Sequence, residues 1–318
     1  MAMKRTVEHA EPSLGIQISV SGPPDWVWEL IGDPPIERSC HHGFDIRCAT
    51  TGGHGVASVR LPGARSLGRE QLETRVHELY DVLCDELERV STPHLLRVWN
   101  FVPGILEPLD DLRHRYMAFN AGRFAAYENR FHGVDSFGQV VPTASGVGHT
   151  GDDLWVHALA GAVPGQPVEN PRQIPAYRYS ATHGPLPPCF ARATIVMTPT
   201  SSRLLVGGTA SISGEHTCHI GDLAAQARET LTNLAALIGA GLVVAGEGVS
   251  VVTEIERLAL FEHLRVYYVR PEDRDEVVRL VGEALPDDCR VEFARADLCR
   301  DGLLVEVEGV ARMADRSS

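Results

Sequence analysis

Hydrophobic positions recur along this chain with two periods, and the alternation between those periods predicts a protein built from both helices and strands. Leu72, Val76, Leu79, Leu83, Leu87 and Val90 fall on one stripe, which predicts an amphipathic helix over Arg69–Val90. A second helix is expected over Leu109–Phe131, and strand-like runs stand at Ile16–Val20, Val56–Leu61, His94–Val102 and Trp155–Gly161. In the second half Arg203–Ala210 reads as a strand. Asp222 can then cap a helix carrying Leu223, Ala227, Leu231, Leu234 and Ile238, with Gly239 and Gly241 expected to end it. After a β-rich stretch over Val249–Ile255, His263–Val269 reads as a strand. Pro271 opens a helix to about Leu285, with Glu272 and Asp273 in a first turn that the helix dipole favours. Arg290–Ala296 and Leu303–Val310 close the chain as strands.

The same order of elements is thus run through twice. That predicts an internally duplicated α+β fold of two lobes, each a mixed sheet with helices on one face. The expected boundaries are an N-terminal lobe over 1–163, a connecting segment over 164–199 and a C-terminal lobe over 200–318. Within the connection, Pro164 to Phe190 is rich in proline and aromatic residues and too long for a plain link, so it is expected to line a site.

Composition narrows the function. A chain of 318 residues with 44% apolar content can bury a full core in each lobe. Its formal charge of −13, with no basic stripe, argues against nucleic acid and anionic membrane as partners. Seven cysteines without a CxxC pair imply reduced thiols rather than a disulfide framework. The start lacks an apolar signal region, and the longest apolar run, Leu234–Ala245, is interrupted by glycine, so a cytoplasmic protein is expected. Cys40-His41-His42 with Cys48, and Glu215-His216 with Cys218-His219, offer metal-ligand types without the paired spacing of a zinc site. Gly52-Gly53-His54-Gly55 leads into no phosphate-binding pattern. No metal and no cofactor are expected.

The closing strand carries the most informative residue. Alternation puts Leu303, Val305 and Val307 on one face and Leu304, Glu306 and Glu308 on the other. Glu306 between valines is a candidate for a partly buried carboxyl held protonated, as a general acid at neutral pH must be. The other reading is an edge strand whose polar face meets water. Tyr116 and Arg123, seven apart on a helix, can share one face with Phe119 between them. They can equally belong to an ordinary amphipathic helix.

Gly207-Gly-Thr-Ala-Ser-Ile-Ser-Gly214, Gln226 and Asn233 in the following helix, and Leu304-Val-Glu306-Val-Glu-Gly-Val-Ala311 resemble the YjgF/RidA-like superfamily over about residues 200–312. The arginine with which the deaminases of that superfamily clamp a substrate carboxylate falls here on Asp288, which cannot do that work. Tyr116-x6-Arg123, Pro175-Ala-Tyr-Arg-Tyr179 with Gly184-Pro185, and Phe190-Ala-Arg192-Ala-Thr194 are similar to the longer chorismatase branch. The order Gly214-Glu215-His216 departs from its pattern, in which histidine precedes glutamate.

This resemblance implies an enzyme that cleaves chorismate, with Tyr116, Arg123, Tyr179 and Arg192 binding substrate and Glu306 as the acid–base. A cysteine seven residues before that glutamate, here Cys299, and a nearby glycine, here Gly214, go with formation of 3-hydroxybenzoate and pyruvate. Read alone, Cys299 is equally a small buried hydrophobe and Gly214 a turn residue. The alternatives are a hydrolase that gives a dihydroxycyclohexadiene carboxylate and, in another class, a non-catalytic small-molecule sensor. Oligomeric state stays open between monomer and trimer.

Overall fold

A computed structural model describes residues 21–32, 34–111, 113–197, 202–246 and 253–313. The helix α1 (Asp25–Ile31) leads into an antiparallel meander of β1 (Glu37–His41), β2 (Phe44–Thr51) and β3 (His54–Leu61). Then follow α2 (Arg69–Arg89), β4 (His94–Pro103), α3 (Arg115–Arg130), the single turn α4 (Phe137–Val140), β5 (Thr143–His149) and β6 (Leu154–Gly161). The first sheet has the order β1-β2-β3-β6-β4-β5, with β4 and β5 parallel.

The second lobe repeats the plan. Its meander is β7 (Gln166–Val168), β8 (Ala193–Met197) and β9 (Ser202–Ala210), followed by a small hairpin of β10 (Ile212–Ser213) and β11 (His216–Thr217). After α5 (Leu223–Val244) and α6 (Glu254–Leu258) come β12 (Phe261–Tyr268), α7 (Arg274–Ala284), β13 (Arg290–Arg295) and β14 (Val305–Arg312). The sheet order β13-β12-β14-β9-β8-β7 mirrors the first strand for strand, again with one parallel pair, β12 with β13. The expected duplication is therefore present in the topology. Of the segment expected as a connection, 166–168 and 193–197 are strands of the second sheet.

Each sheet buries one face under helices. Leu72, Val76, Leu79, Leu83 and Leu87 of α2 are buried in the first core, and Leu231, Leu234 and Ile238 of α5 in the second. A third core lies between the sheets, where Trp26, Val27 and Ile31 of α1 meet Trp99 and Phe101 of β4, Leu205 of β9, Tyr267 of β12 and Val310 of β14. It is this inner layer that brings the two lobes' chemistry together.

Several boundaries differ from expectation. The helix expected over 109–131 begins only at Arg115, because Pro108 pairs with His114 and the Leu109 N–H donates to the Arg113 carbonyl, closing a tight loop first. The α5 helix is capped by Asp222 as expected, its Oδ1 accepting from the Ala225 N–H at 2.9 Å, yet it runs through Gly239 and Gly241 to Val244. Gly241 serves close packing, since a methyl there would sit 3.1 Å from Leu204. This helix is long and apolar enough to cross a membrane by those measures alone, but half of its apolar stretch is buried within the fold. The strand expected over 249–255 falls partly outside the described residues, and its end lies instead in a capping box, with Thr253 and Glu256 satisfying each other's backbone N–H. Ile16–Val20 lies outside the described residues.

Candidate active site

The strand that carries Glu306 is no edge. β14 lies between β12 and β9, with Glu306 opposite Tyr267 on one side and Ala210 on the other. Both carboxylates expected on its polar face are buried, Glu306 at 4% and Glu308 at 1% exposure. Their surroundings are opposite. Glu308 accepts hydrogen bonds from Arg97 Nη2 at 2.6 Å, Trp99 Nε1 at 3.0 Å, Tyr267 Oη at 3.1 Å and Ser145 Oγ, and so sits as an anion in a full set of donors. Glu306 receives no such set: among the described residues no side chain donates a hydrogen bond to its carboxyl. Burial, and then the Glu308 charge, push Glu306 up to about 8 against the opposing fields of Arg97, Arg192 and Arg300.

Room for this carboxyl comes from β9. Opposite Glu308 the ladder slips, so that the two residues Gly207 and Gly208 face one, which is a β-bulge. A methyl at Gly208 would overlap Glu306 Oε1 and lie 3.2 Å from Ser145 Oγ. Glycine at 208 is required by close approach.

A cleft opens beside Glu306 at the seam of the lobes. It is walled by Tyr116 and Arg123 from α3, Ser145 and Gly146 from β5, Phe190, Gly208 and Cys299. Tyr116 reaches it because Gly146 leaves space, a methyl there falling 3.1 Å from the phenol ring. Arg123 is 1% exposed, donates from Nη2 to Asn120 Oδ1 at 2.8 Å and has an unpartnered Nε. Arg192, 4% exposed and just ahead of β8, donates from Nη2 to the Tyr179 hydroxyl and to the Ile174 carbonyl at 3.2 Å, and its Nε too is unpartnered. Neither guanidinium forms an ion pair among the described residues. The ring of Phe190 lies between them, 5.0 Å from the Arg192 guanidinium carbon and 6.0 Å from that of Arg123. Glu169 stands in the field of Arg192 without pairing to it, and burial pushes its carboxyl up to about 7.

Five of the residues singled out in the sequence therefore converge: Tyr116, Arg123 and Cys299 in the wall, Arg192 with Tyr179 behind it, all around Glu306. Burial pushes the Cys299 thiol up to about 12, so it stays neutral and contributes volume rather than charge to the wall. Gly214 stands apart. It is the tip of the β10–β11 hairpin at φ +60°, its N–H and carbonyl tied to Arg172 and Ile174, with open space where a side chain would be. The glycine beside Glu306 is Gly208, which lay within the quoted motif without being singled out.

Ser145, Gly146 and Phe190 were also missed, since their roles depend on a partner lobe. Arg300 was missed too, although it follows Cys299 directly; its guanidinium carbon lies 5.1 Å from the Tyr179 ring and its Nη1 donates to the Glu215 carbonyl at 2.6 Å. Gln226 and Asn233 are scaffolding: Gln226 bonds the Gly302 carbonyl and the Leu304 N–H, fixing the start of β14, while Asn233 Nδ2 bonds the Ala210 and Ile212 carbonyls. The histidine- and cysteine-bearing clusters do not converge, for Cys40, His41 and His42 are exposed on the β1 side while Cys48 is buried under α2.

Comparison with known proteins agrees with this geometry. The profile of the family described as "Chorismatase FkbO/Hyg5-like, N-terminal" matches residues 30–160. A 3-hydroxybenzoate synthase of Streptomyces hygroscopicus is 32% identical over 310 residues, 96% of this chain and 87% of that protein. The chain belongs to the chorismatase family. A chorismatase of Streptomyces rapamycinicus is 35% identical over 89% of this chain and 80% of its own length. A chorismatase crystal structure superposes with a TM-score of 0.74 at 32% identity, covering 87% of this chain and 80% of that one. The family likeness thus spans both lobes and the seam between them.

Proposed function

We propose that this chorismatase-family protein cleaves chorismate to 3-hydroxybenzoate and pyruvate, with Glu306 as the acid. The observation that carries the reading is the pair of buried guanidiniums without carboxylate partners beside a buried carboxyl that favours its protonated form. Chorismate is a dicarboxylate, and planar guanidinium forks bind carboxylates bidentately, so Arg123 and Arg192 are suited to be its two anchors. The Tyr116 and Tyr179 hydroxyls add orientation. Free space in the cleft is about 20 Å³, room for about a single water and far too little for chorismate, so the surrounding side chains move apart to admit the substrate.

Protonated Glu306 delivers its proton to the methylene carbon of the enolpyruvyl group, leaving an oxocarbenium-like centre that the new carboxylate stabilises. The ether bond to the ring then breaks and pyruvate departs. For 3-hydroxybenzoate the neighbouring ring hydroxyl attacks the carbon that loses the ether oxygen and gives its proton back to the Glu306 carboxylate, and the ring oxide so formed opens to the aromatic acid, so chorismate divides into 3-hydroxybenzoate and pyruvate with no atom added or lost. When water attacks instead, one water is consumed and the ring leaves as the dihydroxycyclohexadiene carboxylate. Cys299 lies in the cleft wall where it limits the space for water, which supports the first outcome; Gly214, outside the wall, keeps the second reading in play.

The test is to incubate the protein with chorismate, follow pyruvate through a lactate-dehydrogenase couple and separate the ring product by chromatography. One pyruvate per 3-hydroxybenzoate is expected. The diene as main product would establish the hydrolase, and binding without pyruvate would establish a sensor.

A further inference from the structure

Two glutamates two residues apart on one strand face share a buried space, one saturated with donors and the other bare. We propose that Glu308 is a positioning residue for the reaction: its fixed negative charge, held by Arg97, Trp99, Tyr267 and Ser145, keeps Glu306 carrying its proton and turned toward the cleft. This rests on the reading of Glu306 as the acid and names what makes it one.

The geometry assigns Glu308 no acid role of its own. Its Oε2 is engaged by Arg97 and Ser145 and its Oε1 by Trp99 and Tyr267, so no lone pair is turned to the cleft with a proton to give. Four residues from three strands hold it. Arg97 and Trp99 come from β4 and Ser145 from β5 of the first lobe, and Tyr267 from β12 of the second. The Arg97 guanidinium is further pinned by donation to the Val98 carbonyl and lies 4.7 Å from the Trp99 ring centre. A charge so enclosed is fixed in place and unscreened by solvent, and at this range it acts strongly on a neighbouring carboxyl. The groups facing Glu306 are Glu308 on its own strand, Arg97 from β4, Tyr116 and Arg123 from α3, Arg192 ahead of β8, and Cys299 and Arg300 ahead of β14. Of these Glu308 is the sole anion. Arg97, Arg192 and Arg300 favour a carboxylate at 306, and what opposes them is burial first and then the Glu308 charge, the one opposing charge among these groups.

The sign of the effect separates this role from simple support of the fold. In Glu308→Gln the opposing charge is gone and Arg97 is left unpaired, so Glu306 loses its proton at lower pH. The basic limb of kcat/KM for chorismate should move down by about one pH unit or more, with a loss of roughly tenfold at pH 8. In Arg97→Met the anion is left uncompensated, and the limb should stay or move upward. Where the single Glu308 variant does not fold, Arg97→Met with Glu308→Gln replaces the whole buried pair, a change cores often tolerate. The limb should then move down by less. Infrared difference spectra between parent and Glu306→Gln, taken across pH 5–9, report the protonated carboxyl without turnover, and the Glu308 change should shift the pH at which that band is lost. A limb and band left in place while kcat falls evenly at all pH values would overturn the inference. A parent that releases no pyruvate would overturn the acid assignment beneath it.

Discussion

Five buried arginines divide into two kinds. Arg97 pairs with Glu308 at 2.6 Å, Arg265 with Glu292 at 2.6 Å and Arg115 with Glu107 at 3.8 Å, whereas Arg123 and Arg192, equally buried, have no carboxylate partner among the described residues. Burying a guanidinium without a counter-charge is unfavourable unless something else returns the energy. In the first group the return is internal: Arg97–Glu308 joins the two lobes, and Arg265–Glu292 joins β12 to β13 within the second lobe. In the second group no carboxylate among the described residues supplies it, and the substrate proposed above, a dicarboxylate, would. On that proposal folding and binding are separated on chemically identical side chains.

Substitution should expose that separation. Arg97→Ala strands the Glu308 charge in the inner core, and denaturant unfolding should show a loss of about 3–5 kcal/mol. Arg123→Ala and Arg192→Ala should leave unfolding midpoints near the parent's or raise them, while chorismate binding by calorimetry weakens by roughly 2–5 kcal/mol. Lysine at either position should recover part of the binding, lacking the bidentate fork. A large stability loss in Arg123→Ala with binding intact would erase the distinction.

The two glutamates sharpen the same contrast. Glu306 in the folded protein titrates near 8 against an ordinary 4.5, so between those values the fold holds a proton that the unfolded chain releases. Stability contributed by the neutral carboxyl is complete below about pH 4.5 and is lost as pH rises toward 8. Glu306→Gln lacks this dependence. It should unfold later than the parent at pH 8, by on the order of 3–4 kcal/mol, with little difference at pH 5, while pyruvate release falls by roughly 10²-fold or more. Equal stabilities at both pH values would place Glu306 in contact with water and return it to the polar face of an ordinary strand.

How much of this was legible in the sequence follows from which interactions are local. The stripe of α2, the Asp222 cap and the strand at Glu306 depend on spacing and neighbouring residues, and they stand where periodicity puts them. The strands β1, β2, β5, β7 and β8 are not predicted, because exposed β1 and the short β7 and β8 carry little alternation of their own and β5 is buried on both faces. The burial of Glu306 is a tertiary fact: its strand runs between β12 and β9 and faces a second sheet from residues some 200 positions away, among them Arg97 and Ser145. Gly208 shows the same limit from the other side. A motif marked the right stretch, but only the bulge decides which of its glycines approaches the acid.

That choice of glycine yields the smallest and most discriminating prediction. Gly214 has φ +60° and open space around it, so Gly214→Ala should lower stability by about 1 kcal/mol through backbone strain while leaving the ring product unchanged. Cys299 shares the cleft wall with Glu306, and its neutral thiol takes up space there without supplying a charge. If the freed volume in Cys299→Ala admits water, 3-hydroxybenzoate should fall and the dihydroxycyclohexadiene carboxylate rise by up to tenfold in ratio, a barrier difference of about 1.4 kcal/mol, with pyruvate release within tenfold of the parent. Chromatography of both variants decides it: a ratio that responds to Gly214 and ignores Cys299 would mean that the hairpin tip, rather than the cleft wall, governs what attacks the ring.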